Sequence, residues 1–587
     1  MTATGAATAA AAPATAELGS GVPGAPSGPV HLVILGTNDF HGAIDGVTIP
    51  GTGTPVGGAE WLAAYLAALR AEAPERTLLL DGGDLFQGTR ASNTFEGRCT
   101  LALFNHLGYD AAAIGNHEFD YGPVGEHSVA HAPGDDPLGA LKALTGAARF
   151  PFLTSNVFVK ATGARPDWPN VKPWTIVERA GVKIGLIGFT TVTTPTTTMP
   201  PNVAGLEFRA PAESAAELLP EMRRAGAQII VGVGHLGGQC TPGCTEVTEE
   251  IRALLDAFPE GTFAAFVLGH SHAGVRAVYR GTPVIESYAE GGALGRIDLE
   301  VDRATGGTKV LSVGPTYTLC RAVEPRGACG ADSAGGEMVS GGLAPDASVT
   351  PLLEECRDLP CVPLAEVPAP LVRDRWKDSP LGSVIADLLR EATPRADFAV
   401  MNSGGLRGDL AAGPLDDCGL YRVLPFDNAV VTVEMTGAEI LTMLRLGASG
   451  THGLLQVSGL RYGYEPCRTW TPADDLDGDG AEDAWELNRL TFATTDKGKK
   501  LDPKKTYEVV TNEFLVLGGD DLGAVFSKIP PARIHVDYDT KIRDAVIRAL
   551  RARKGKPVKL AAPAGKPRVE KGAGEPDPGK WGAGGCR

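Results

Sequence analysis

Five short apolar runs in the first half of the chain each end in a polar motif flanked by glycine. Residues 30–35 lead into Asn38-Asp39-Phe40-His41-Gly42, and residues 77–80 into Asp81-Gly82-Gly83-Asp84. Residues 111–114 lead into Gly115-Asn116-His117-Glu118, residues 228–233 into Gly234-His235, and residues 263–268 into Gly269-His270-Ser271-His272. Runs of this length bounded by glycine read as buried strands. Further strands are predicted at 182–189 and from residue 283, and residues 59–70 have helical spacing. Strands alternating with helices give an α/β sandwich, in which ligands gather at the carboxyl ends of the strands. One histidine in such a place is an ordinary satisfied side chain. The chain has eleven, and His41, His117, His235, His270 and His272 all follow a strand at its carboxyl end. That joint pattern calls for a shared site.

The residue types fit a pair of cations. Asp39 and His41 are one residue apart, so in an extended segment both side chains project the same way. Asp84 is the candidate bridging carboxylate, while Asp81 braces the glycine turn, and Asn116 adds an amide oxygen. With His235, His270 and His272 this makes an oxygen- and nitrogen-rich site without a thiolate, which suits Zn, Mn, Fe, Co or Ni. Two ions sharing one carboxylate stand about 3.5–4 Å apart. His117 is left outside the ligand set, and Asp120 reaches back to orient its ring, as a proton donor for a leaving oxygen requires. His127 and His131 lie in a Gly-, Pro- and Asp-rich stretch with no strand to hold them and read as exposed.

The motifs NDFHG, DGGD, GNHE, GH and GHSH are those of the metallophosphoesterases. With NSGGLR, LPFDN and NEFLVLGGD in the second half, the chain resembles the bacterial and animal 5′-nucleotidases over residues 30–550. The resemblance implies a four-layer α/β/β/α metallophosphoesterase sandwich at 30–320 and a linker with a connecting helix at 321–365. A smaller α/β (α+β) 5′-nucleotidase C-terminal domain follows at 366–552 and turns against the first to bring substrate to the metals. It implies that Asp39, His41, Asp84 and His272 hold one metal, and that Asp84, Asn116, His235 and His270 hold the other. His117 and Asp120 are the implied catalytic pair. Arg375 and Arg407 would bind phosphate, Phe426 and Phe514 would stack on a base, Asn402 would position the nucleoside, and Asp520 would bind ribose hydroxyls. On physics alone the two phenylalanines read rather as ordinary core aromatics, whereas Arg407, following a glycine turn, reads as a forked donor to phosphate, with a solvated turn residue as the alternative. Asp427 puts an acid beside the base pocket where the family often has glycine.

Composition narrows the substrate class. Lys plus Arg is 54 and Asp plus Glu is 70, a net charge of −16. That disfavours a nucleic-acid polymer but not a small phosphorylated ligand, whose charge local cations and metals offset. No apolar run is long enough for a membrane span. The ten cysteines are read as disulfides of an oxidising compartment, against scattered thiols. Cys240–Cys244, Cys320–Cys329 and Cys356–Cys361 are the close pairs, Cys418 and Cys467 a longer one, with Cys99 and Cys586 left over. Residues 1–29 and the basic tail 553–587 are expected to be disordered, and no secretory signal is recognisable in the former.

Residues 475–486 satisfy the spacing of a calcium loop, with Asp475, Asp477, Asp479, Asp483, Glu486 and the Ala481 carbonyl as ligands. The alternative there is a solvated acidic loop. The expected activity is dimetal-dependent hydrolysis of nucleoside 5′-phosphates in the periplasm or outside the cell. The rivals are a 2′,3′-cyclic nucleotide phosphodiesterase or UDP-sugar pyrophosphatase with the same site, and a catalytically silent nucleotide-binding surface protein. Base preference, metal identity and oligomeric state are left open.

Overall fold

The structure, a computed structural model, describes residues 28–572, apart from 49–53, 126, 131, 241–245, 315, 322–342, 450–451, 467, 469–470, 472–473, 475–486, 555–557, 564 and 566. The calcium-loop expectation at 475–486 and His131 therefore lie outside the described residues. His127 is exposed.

Two sheets stack face to face in the first half. One runs in the order Thr308–Val313, Ala293–Asp302, Pro29–Thr37, Thr77–Asp81, Ala111–Ala113, Phe152–Leu153 and Val171–Lys172. From Pro29–Thr37 onward its strands are parallel. The other orders Gly274–Tyr279, Thr282–Ser287, Ala265–Leu268, Ile229–His235, Val182–Thr190 and Trp174–Arg179. Alternate residues of each strand face opposite layers. Leu32, Ile34 and Leu80 pack against Ile184, Val231 and Val267 between the sheets. Val33, Leu35 and Leu79 pack outward on Leu62, Leu66 and Phe104 of the helices Ala59–Glu72 and Arg98–Leu107. On the far side Ile230 and Phe266 meet Leu218, Met222 and Ile251 of the helices Pro211–Arg224 and Glu249–Asp256. Strands buried on both faces explain the unbroken apolar runs of the sequence, and the layers are those of the expected α/β/β/α sandwich.

A five-stranded sheet organises the second half, in the order Leu455–Ser458, Phe398–Asn402, Thr506–Asn512, Ala429–Thr436 and Ile534–Lys541. The helices Pro380–Ala392 and Ile542–Ala552 cover one face through Ile385, Leu388, Val546 and Leu550. The helix Gly437–Gly447 covers the other through Ile440 and Leu444. Ser379 caps the first of these, accepting from Gly382 N at 2.9 Å, with Pro380 at its first position. Phe398–Asn402 runs parallel to Thr506–Asn512, and Val430 pairs with Asn512 across the antiparallel neighbour. Asn402, Asn512, the segment carrying Phe426 and the short helix Glu513–Val516 carrying Phe514 therefore meet at one end of the strands.

The disulfides correct the sequence reading. Cys356 is bonded to Cys99, and Cys361 to Cys418, rather than Cys356 to Cys361 and Cys418 to Cys467. Proximity in sequence misled, because the chain passes from one half to the other between Cys356 and Cys361. Cys240 and Cys320 are also bonded; their expected partners Cys244 and Cys329, like Cys467 and Cys586, lie outside the described residues. Cys356 is tied to the helix Arg98–Leu107, and Arg357 beside it pairs with Asp45 and Glu60. Five residues on, Cys361 is tied to the helix Asp417–Val423, and Val362 N donates to Asp417 Oδ1 at 2.7 Å. Asp358, Leu359 and Pro360 alone bridge these two anchorages.

The tail departs from expectation as well. Val569–Lys571 pairs parallel with Leu460–Tyr464, Leu560 and Val569 are buried, and Arg568 ion-pairs with Asp387 at 2.7 Å. A few apolar residues among Lys, Gly and Pro suffice to dock this segment.

Candidate metal centre and substrate pocket

The polar motifs of the five strand ends converge where the carboxyl ends of the two sheets meet. Asp39, His41 and His272 bring ligand atoms within 4.8 Å of one another, as do Asp39, Asp84 and His235. His41 Nε2 lies 3.1 Å from His272 Nε2 and 3.9 Å from both Asp39 Oδ1 and Asp84 Oδ2. His235 Nε2 lies 3.0 Å from Asp84 Oδ2 and 3.1 Å from Asn116 Oδ1. The His270 ring packs on His235 with centroids 5.0 Å apart, while its backbone N donates to both oxygens of Asp39 at 3.2 and 3.0 Å.

These groups fit divalent cations. His41 Nδ1 faces the Gln87 carbonyl at 2.7 Å and His235 Nδ1 the Gly82 carbonyl at 2.9 Å. A carbonyl only accepts, so each Nδ1 carries the proton and each Nε2 turns a lone pair inward, the usual support of a ligating histidine. Lone pairs of imidazole, amide and carboxylate then point at one another, which a cation between them resolves. The field is in keeping. Burial and His235 hold His270 neutral, pushed down to about 3. Burial also disfavours charge on His235, but Asp84 outweighs it and pushes that ring up to about 10, so the carboxylates call for positive charge at this point, which a cation supplies in place of a proton on Nε2.

The backbone is bent to achieve this. Asp39, His41, Asp84, His270 and His272 have φ of 48°, 50°, 59°, 91° and 54°, a left-handed region that L-residues enter sparingly and that clusters at functional sites. Glycines let the strand ends close in. A Cβ on Gly115 would stand 2.1 Å from Asp84 Oδ1, and one on Gly82 would stand 2.3 Å from Leu268 O.

His117 stands beside this cluster. Its Nδ1 meets Asp120 Oδ2 at 2.6 Å, and Thr198 donates to the other oxygen of Asp120 at 2.7 Å. Burial opposes charge on His117, but Asp120 and Asp84 prevail and raise it above its ordinary value. Glu118 was not singled out from sequence. Its buried carboxylate accepts from the backbone N–H groups of Asp84, Leu85 and Gly115 at 2.9, 2.7 and 2.6 Å, tying two ligand loops together. Burial, then Asp84, push it up to about 7.

The second half faces the same cleft. The Phe426 ring lies 5.6 Å from the His117 ring, and the Arg407 guanidinium lies 5.8 Å from the Phe426 centroid. Asn402 Oδ1 accepts from Asn512 at 3.1 Å, and Asn402 Nδ2 donates to Asp520 Oδ2 at 3.0 Å. Phe514 is half-buried against Gly519. Arg375 is exposed beside Trp376. Arg373, not assigned from sequence, donates to Leu406 O at 2.9 Å and adds its charge to that of Arg375 near Arg407. None of the three guanidiniums is ion-paired among the described residues. Asp427 does not face the pocket as an unpaired acid: it is held by Lys541 at 2.9 Å and Arg543 at 2.6 Å.

Residues 32–274 match the calcineurin-like phosphoesterase family, and residues 364–528 match the 5′-nucleotidase C-terminal domain. The chain joins a calcineurin-like phosphoesterase domain to a 5′-nucleotidase C-terminal domain. The phosphoesterase match implies divalent metal ions. Endonuclease YhcR of Bacillus subtilis is 27% identical over 82% of this chain, which spans only 38% of that relative's length. A 5′-nucleotidase of Vibrio cholerae is 28% identical, covering 71% of this chain and 76% of its own. The crystal structure of a 5′-nucleotidase precursor from Thermus thermophilus superposes with a TM-score of 0.71 at 25% identity, over 92% of this chain and 99% of that one. The two domain matches account for the fold of both halves. No helix among the described residues is long and apolar enough to cross a membrane.

Proposed function

We propose that the protein hydrolyses nucleoside 5′-phosphates to nucleoside and phosphate with the help of two divalent metal ions. The observation that carries this reading is the contact of Phe426 with His117: a candidate base platform from the second half sits against a candidate proton donor from the first. Asp39, His41, Asp84 and His272 would hold one ion, and Asp84, Asn116, His235 and His270 the other. When bound, such ions lower the pKa of a water for attack on phosphorus and offset charge on the phosphoryl oxygens.

The chain's own residues supply the rest. Asp120 orients the His117 ring and favours its charged form, so Nε2–H donates to the developing charge and to the leaving 5′-oxygen. Arg375 and Arg407 offer forked donors to phosphate, with Arg373 adding to the field. Phe426 and Phe514 stack on the base, and Asn402 presents Asp520 to the ribose. The oriented His117–Asp120 pair argues against a silent binder, which has no use for a proton donor. Residues 30–320 and 366–552 are the two proposed domains, joined through 321–365, with the docked strand Val569–Lys571 adding to the second. The disulfides support an oxidising compartment, periplasmic or extracellular.

The test is phosphate release by purified protein, with Mn or Zn added, from nucleoside 5′-monophosphates, 2′,3′-cyclic nucleotides and UDP-sugars. AMP-type monoesters are expected to lead. A screen in which cyclic nucleotides or UDP-sugars turn over and monoesters stay inert would overturn the substrate assignment.

A further inference from the structure

Two consecutive aspartates in the second half have left-handed backbones, Asp520 at φ 51° and Asp521 at φ 61°. Glycine takes this conformation freely, whereas an L-residue holds it only where its surroundings compensate. For Asp520 the compensation is Asn402, which donates to Oδ2 at 3.0 Å. For Asp521 it is His452, whose Nε2 meets Oδ2 at 2.7 Å. A carboxylate only accepts, so this nitrogen carries a proton. The backbone carbonyl of His452 in turn accepts from Arg375 Nε at 3.3 Å.

The second ring nitrogen of His452 faces the free oxygen of Asp520. Nδ1 and Oδ1 are 3.8 Å apart, too far for a direct hydrogen bond. The side chains are 16% and 15% exposed, at a small pocket that Asn402, Ser449 and Gly453 also line. Burial opposes charge on the ring, but Asp521 and Asp520 outweigh it and raise His452 above its ordinary value. In the charged form that these carboxylates favour, Nδ1 also carries a proton. A donor and an acceptor face one opening, and neither satisfies the other.

We propose that His452, locked in place by Asp521, is a specificity-determining residue that together with Asp520 reads a ribose hydroxyl. This rests on the nucleotide reading above and deepens it. A hydroxyl seated about 2.8 Å from each group donates to Asp520 Oδ1 and accepts from His452 Nδ1–H. A sugar without that hydroxyl leaves both groups facing each other unsatisfied, the situation in which sites built for a hydroxyl discriminate well. The pair thus selects ribonucleotides over deoxy analogues.

The experiment measures KM and kcat of the metal-loaded full chain for AMP and for 2′,3′-dideoxy-AMP, in the wild type, His452→Ala and Asp521→Gly. Wild type is expected to bind AMP more tightly than the dideoxy analogue. Each variant should raise KM for AMP by roughly three- to tenfold, so that the AMP-to-dideoxy ratio moves toward one while kcat for AMP holds. Asp521→Gly removes the carboxylate but suits the left-handed backbone, so its melting temperature should not fall below wild type and a folding defect cannot explain the change. Equal KM changes for both nucleotides, or none for AMP, would overturn the proposal. A wild type that turns over AMP without preferring the ribo form overturns this inference alone. A wild type that releases phosphate from neither nucleotide takes the nucleotide reading down with it.

Discussion

The rings of Phe426 and His117 lie 5.6 Å apart at an interplanar angle of 35°. They come from opposite halves of the chain, and the contact is braced from both. Asn93 of the first half donates to the Pro425 carbonyl at 2.9 Å, and Tyr121 OH donates to Asn93 Oδ1 at 3.0 Å. An aromatic ring of the second half so close to an oriented histidine of the first makes one cleft of the two domains.

If Phe426 stacks on the base, Phe426→Ala should lower kcat/KM for AMP by about ten- to a hundredfold, the range of one lost base stack. A phosphate ester without a base should lose much less. Steady-state kinetics on both substrates separates stacking from damage to His117.

Asp427 positions the loop that carries Phe426 through Lys541 and Arg543. Burial works against its charge, but those two cations hold it below the usual carboxylate value. A depressed carboxyl contributes stability that is fully present above its unfolded value of about 3.9 and is lost as pH falls through its lower folded value. The clamp should therefore be intact from pH 5 to 8. Asp427→Asn is expected to raise KM for nucleotides several-fold at pH 7 and to flatten the acid limb of the thermal stability profile, measured by melting scans from pH 3 to 7.

His117→Ala should lower kcat by a factor on the order of 10²–10⁴. Asp120→Asn removes the charge that supports the imidazolium and should give a smaller loss, with KM for AMP nearly unchanged in both. A change confined to KM in either variant would remove His117 from the chemistry.

Much of the centre was legible in the sequence because each proposed ligand sits in a glycine-containing motif at the end of an apolar run, where strand ends and backbone approach are both encoded. Glu118 stood in the same motif, yet its partners are backbone N–H groups, which carry no sequence signal. His452 is an isolated histidine in a turn, and only folding brings Asp521 to it. Asp427 read as an acid near a base because Lys541 and Arg543 are remote in sequence. Disulfide connectivity cannot be deduced from spacing, and the Cys356 and Cys361 pairs show why: two cysteines five residues apart serve two different domains. The docked segment around Val569 was hidden by its basic, glycine-rich surroundings.

That connectivity has a mechanical consequence. With Cys356 fastened to Cys99 and Cys361 to Cys418, any turn of one half against the other is confined to residues 358–360. The double variant Cys361→Ser, Cys418→Ser should widen the inter-domain distance distribution seen by spin-label spectroscopy. Cys99→Ser with Cys356→Ser should cost roughly 2–5 kcal/mol of stability, read by denaturant unfolding.

Seven side chains are proposed to gather divalent metals for phosphate-ester hydrolysis, and the whole proposed reaction depends on them. Its most direct test is phosphate release from AMP by the purified chain before chelation, after it, and after Mn or Zn is restored. The expected result is loss of release with chelator and recovery with metal in the wild type, and no recovery in Asp84→Ala. Release that persists undiminished in chelator would contradict the account.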